Sequence, residues 1–135
     1  MTDPTTDTQT PQLSWDEQAT MVAVNSERDL LKRLAEIADQ AADAPPLVEL
    51  YQPDGASLAI GVGAERSVVT YIRNPDEPDW LSRGDSDDGP PPVFYLHGHY
   101  SDFPPDAAVP AEDAVEAMRR FYTTGQRPDN IAWQQ

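Results

Sequence analysis

The 135-residue chain contains no cysteine. That absence removes disulfide cross-links, thiolate zinc sites and cysteine nucleophiles together. Histidine is nearly absent too, with two in the whole chain, His97 and His99. Ser57, Ser67, Ser82, Ser86 and Ser101 all lack the Gly-x-Ser-x-Gly setting that exposes a serine nucleophile, and few imidazoles exist to serve as base. Gly61-x-Gly63 lacks a third glycine and falls between two strand patterns, so it reads as a tight turn and not as a dinucleotide-binding loop. No apolar run approaches the ~20 residues that span a bilayer. The opening MTDPTTDTQTPQ has neither the basic start nor the apolar stretch of a secretory signal. The chain reads as a cytoplasmic protein.

Basic residues are scarce: nine Lys and Arg stand against 24 Asp and Glu, for a formal net charge of −15. Such a balance argues against direct contact with nucleic acid or an anionic membrane and suits a basic partner, although selection for solubility produces the same excess. An apolar fraction of 39% is enough for one modest core. Residues 1–12, small, polar or proline, read as a disordered leader, and 13–135 as a single domain.

Periodicity places the elements. Gln18 to Val24 reads as a strand, after which Ser26 and Asp29 form a capping arrangement and Leu30, Leu34, Ile37, Ala38 and Ala41 recur at helical spacing, for a helix from Glu27 to about Ala42. Strands follow at Leu47–Gln52 and Ser57–Val62 around the Pro53-Asp54-Gly55 turn, at Ser67–Arg73, and at Val93–His99. Asn74 to Pro92, rich in Asp, Gly and Pro, reads as a long loop in which Trp80-Leu81 is the exception. A last helix runs from Pro110 to Thr124 with Ala111, Ala114, Val115, Met118, Phe121 and Tyr122 as its apolar stripe. Gly125 suits a left-handed helix stop, Pro128 cannot continue the helix, and Ile131 with Trp133 gives the tail two apolar side chains to dock. The order implies an α+β fold, an antiparallel sheet of four to five strands packed by two helices.

Two constellations invite a function. His97-Gly98-His99, with Asp102 nearby, has the spacing of a metal site if the two imidazoles share one strand face, but a strand end or bulge gives the same spacing. The acidic stretch presents Trp80 among carboxylates, the arrangement of an apolar anchor within a charged rim. Trp80, Asp85, Asp87 and Asp88 are the expected partner contacts there, with Tyr95 and His97 from the adjoining strand.

The strand Leu58-Ala59-Ile60-Gly61-Val62-Gly63, the segment Ser67-Val68-Val69-Thr70-Tyr71, the Phe103-Pro104 and Val109-Pro110 steps, and above all Phe121-x-x-x-Gly125-x-Arg127-Pro128-x-x-Ile131-x-Trp133 carry a resemblance. Over Leu13 to Trp133 the chain resembles the first-numbered immunity-protein family of bacterial polymorphic toxin systems. The resemblance implies a monomeric antitoxin that binds a cognate toxin domain, often a deaminase acting on cytosine in nucleic acid, and inhibits it without turnover, metal or cofactor. The acidic balance fits independently, because a toxin acting on nucleic acid needs a basic groove. Two other readings compete: an acidic nucleic-acid mimic that inhibits or adapts a housekeeping protein, and a small metal-dependent enzyme using His97, His99 and Asp102.

Overall fold

The computed structural model describes residues 10–16, 20–41, 43–74, 76–85 and 89–135. In chain order the elements are β1 (Gln12–Ser14), β2 (Val22–Ala23), α1 (Glu27–Gln40), β3 (Leu47–Tyr51), β4 (Ser57–Gly61), β5 (Arg66–Ser67), β6 (Val69–Ile72), β7 (Trp80–Arg83), β8 (Val93–Leu96), β9 (His99–Asp102), a 3₁₀ turn (Pro105–Ala107), β10 (Val109–Pro110), α2 (Ala111–Thr124) and β11 (Ala132–Gln134). The expected α+β class, two helices with an antiparallel sheet, is what the chain adopts. The main sheet has seven strands in the order β11-β7-β6-β4-β3-β1-β2, and β10–β5 and β8–β9 form separate two-stranded ribbons.

The sheet exceeds the expected four to five strands because its outer members are short and are fixed by distant partners. β7 lies inside the segment expected as loop and pairs Thr70 with Leu81 and Tyr71 with Trp80. β11 then adds the tail to β7, setting Trp133 opposite Ser82. Of the strand expected at Gln18–Val24, only Val22–Ala23 pairs, while Gln18 and Ala19 lie outside the described residues. The segment expected as one strand at Val93–His99 is the first arm and turn of a hairpin.

Local chemistry fixes both helices. Ser26 Oγ accepts the Asp29 N–H at 3.0 Å and Asp29 Oδ2 accepts the Asn25 N–H at 3.1 Å, so two amides at the start of α1 are satisfied reciprocally. The buried stripe Leu30, Leu34 and Ile37 follows, and the helix ends at Gln40, while Ala42, the expected end, lies outside the described residues. α2 closes on Gly125 at φ 71°, whose N–H donates to the Phe121 carbonyl at 2.8 Å. Gln52 Nε2 donates to the Phe121 and Tyr122 carbonyls at 2.7 and 3.3 Å, so a side chain from the end of β3 caps the same helix.

The sheet buries both faces at its centre, and every residue of β4 is buried. On one face Leu13, Leu50, Leu58, Ile60 and Tyr71 pack against Leu30, Leu34, Met118 and Phe121 of the helices. On the other, Phe94 of the β8–β9 hairpin joins Leu47, Val68 and Ala107. A Cβ on Gly61 would fall on the Phe94 ring, so the glycine is what lets the hairpin lie down on β4. The buried hydroxyls are paired: Ser82 Oγ donates to the Ala107 carbonyl at 2.7 Å and accepts the Val69 N–H at 2.9 Å. Among the described residues, no helix is long and apolar enough to cross a membrane.

Candidate functional site

Four of the six residues expected to meet a partner are described: Trp80 on β7, Asp85 just beyond it, Tyr95 on β8 and His97 in the turn that follows. Trp80 opens β7 instead of standing in a loop; it is half-buried against the helix-side core and lies under the Arg127 guanidinium, 3.8 Å from the ring centroid. The carbonyls at the end of α2 are taken by Gln52, and Arg127 stacks on the indole. Asp85 is exposed just beyond β7. Asp87 and Asp88 lie outside the described residues.

Tyr95 and His97 belong to the hairpin over the open face of the sheet. The Tyr95 N–H donates to the Pro45 carbonyl at 2.9 Å, and its ring meets Tyr100 edge-on with centroids 5.9 Å apart. Tyr100 itself is 63% exposed. His97 and Gly98 are the two turn residues between β8 and β9, with φ 49° and 85°, the sign pattern of a type I′ turn. That geometry counts against the metal-site alternative, because His97 and His99 do not share a strand face. His99 and Asp102 are exposed on β9. Among the described residues, no group of three or more His, Asp or Glu side chains is gathered as a metal site.

His97 instead turns inward. Its Nε2 lies 3.1 Å from Ser14 Oγ and 3.3 Å from Glu49 Oε1. Glu49 Oε1 is buried and makes no hydrogen bond of good geometry, with the imidazole edge as its near polar neighbour. Burial, and after it the Glu49 carboxylate, push the Tyr51 phenol up to about 12. A serine, a histidine and a carboxylate in contact suggest a hydrolase relay, but both contacts fall on one nitrogen. A relay needs the carboxylate on one ring nitrogen and the serine on the other. The cluster therefore anchors the hairpin turn to β1 and β3. Nothing local in the sequence marks it, since Ser14 and His97 are 83 residues apart.

Electrostatics sharpen the picture of the surface. Of the nine cations, Arg33, Arg73, Arg83, Arg119 and Arg120 pair with carboxylates inside the chain. Arg119 bridges the helices, reaching Glu27 of α1 at 2.7 Å and Glu116 of α2 at 2.6 Å. Arg66 Nη2 donates to the Ala108 carbonyl at 3.1 Å, and Arg127 is stacked on Trp80. Five of the nine cations are paired inside the chain, and the excess of 24 acidic over nine basic residues leaves the field offered to a partner acidic.

The family model for the immunity protein Imm1 matches residues 18–135. A protein of Burkholderia cenocepacia (strain H111) named double-stranded DNA deaminase immunity protein is 32% identical over 96 residues, covering 69% of this chain and 76% of the relative. This chain belongs to the Imm1 family of immunity proteins, a family of binding proteins and not of enzymes.

Proposed function

We propose that this protein protects the cell that makes it from a toxin that deaminates double-stranded DNA, by binding the toxin and covering its active site or basic groove. The observation that carries this reading is the similarity to the double-stranded DNA deaminase immunity protein, 32% identical over 96 residues. The charge supports it. An enzyme that extrudes a base from duplex DNA must hold the phosphate backbone in a cationic channel, and a chain of net charge −15 is drawn to such a channel by long-range attraction.

The contact surface in this reading is the acidic connection that begins at Asp85 and carries Asp87 and Asp88, together with the β8–β9 hairpin bearing Tyr95, His97 and Tyr100. The carboxylates steer and pair with toxin Lys and Arg, and the tyrosine pair supplies rigid apolar contact area. Trp80, held beneath Arg127, supports the start of the connection, and its contact with the toxin is through its exposed edge. The protein acts as a monomer in this account.

The test is association with a catalytically inactive form of the toxin domain encoded beside this chain's gene. Reversing Asp85, Asp87 and Asp88 to Lys is expected to slow association by about tenfold or more at low salt, with the difference shrinking as salt is raised. Unchanged association would remove the acidic connection from the interface.

A further inference from the structure

A second feature of the surface is an apolar groove between α1 and α2, with a volume near 500 Å³. Leu31, Ala35 and Ala38 of α1 form one wall, and Ala111 and Val115 of α2 form the other. The β4–β5 turn is its floor. Leu31 is 37% exposed on the rim, an aliphatic side chain left partly in water although Leu34, one helical step away, is buried. Toward the β4–β5 turn the groove carries Glu65, the one charged residue in its lining, on an exposed position. Among the described residues, Glu65 is in no ion pair.

The groove adjoins a second depression at the β4–β5 turn. Ala64 lines both, and the second, of about 400 Å³, is walled by Pro90, Pro91 and Pro92, where the acidic connection returns to β8. A partner seated against Pro90, Pro91 and Pro92 therefore reaches the groove across one turn. Charge decides the kind of occupant. A second copy of this chain carries the same charge of −15 and is repelled. A cationic protein whose surface sets an apolar side chain beside Lys or Arg matches both the walls and Glu65.

We propose that this groove seats an apolar side chain of the toxin domain, flanked by a basic residue that pairs with Glu65; this rests on the immunity reading given above. The groove then supplies the desolvated anchor of the interface, and the acidic connection supplies steering. Two substitutions probe the two halves. Ala35→Trp fills the groove from an exposed position on α1, and Glu65→Lys inverts its one charge on an exposed turn where the fold is not at risk.

Each variant is titrated with the inactive toxin domain, and sedimentation of the free proteins is recorded. Each change is expected to weaken binding about 10- to 100-fold while thermal unfolding stays close to wild type, the loss from Ala35→Trp lying mainly in dissociation and that from Glu65→Lys in association. If wild-type protein binds the toxin and both variants bind within twofold of it, the groove proposal is overturned and the immunity reading stands. If wild-type protein does not bind the toxin, both fall. A wild-type dimer that Ala35→Trp dissociates would identify a second copy as occupant and also overturn the proposal.

Discussion

The Arg127 guanidinium sits 3.8 Å above the centre of the Trp80 ring. This joins the segment after α2 to the first residue of β7, and it explains how a chain end so rich in turn residues stays in place. Arg127→Ala is expected to lower stability by about 0.5 to 1 kcal/mol, the range for a cation over an indole at an exposed position. A urea unfolding midpoint measures it, and Arg127→Lys should recover only part, because a compact ammonium does not stack.

Trp133 closes the helix-side core. Its ring meets Tyr71 at 6.4 Å, and its Nε1–H donates to the Pro128 carbonyl at 2.7 Å. Trp133→Ala is expected to cost about 3 kcal/mol, combining lost burial with the opened space. Trp133→Phe keeps the ring contact and loses the hydrogen bond, so its cost should be nearer 1 kcal/mol. Equal costs for the two variants, read from denaturant curves, would show the hydrogen bond to be the dominant contribution.

Acid should weaken the helix pair in a defined window. Hydrogen bonds from Arg119 and then Arg120 hold the Glu116 carboxyl at about 2, well below its ordinary value of 4.5. A carboxyl whose pKa is depressed on folding contributes stability that is fully present above its unfolded value and is lost as pH falls through the folded one. The Glu116 contribution should therefore be intact at neutral pH and disappear between about pH 4.5 and 2. Asp29, held down first by the Asn25 N–H, and Asp54, held down first by Arg73, act in the same direction. Glu116→Gln should be less stable than wild type at pH 7 and should flatten the decline on acidification.

Gly61 and Phe94 make the hairpin's seat. Gly61→Val forces the Phe94 ring off β4 and is expected to cost about 1 to 3 kcal/mol by overpacking. If the hairpin contributes to toxin binding, affinity should fall by more than the stability loss alone explains. Side-chain resonances of Tyr95 and Tyr100 would report the displacement directly.

Much of the fold was legible because its signals are local. The Ser26–Asp29 cap, the stripe of α1, the β3–β4 turn and the Gly125 stop all depend on residues within a few positions of one another, and each formed where the pattern placed it. The segment from Asn74 to Pro92 was misread over Trp80–Arg83, because its turn-forming composition hides a four-residue strand held between β6 and β11. Likewise the His97-Gly98-His99 spacing resembles a metal pair until both φ angles at the turn are known. The Ser14, Glu49 and His97 cluster and the groove between the helices join residues from separate parts of the chain, and no spacing rule anticipates them.

Co-expression with the neighbouring toxin domain, scored by survival and by co-purification of a complex, bears most directly on the central claim. The account expects rescue, a stable complex, and loss of both when the acidic connection is charge-reversed. Cell death with no complex, from a wild-type protein that is folded and abundant, would contradict it.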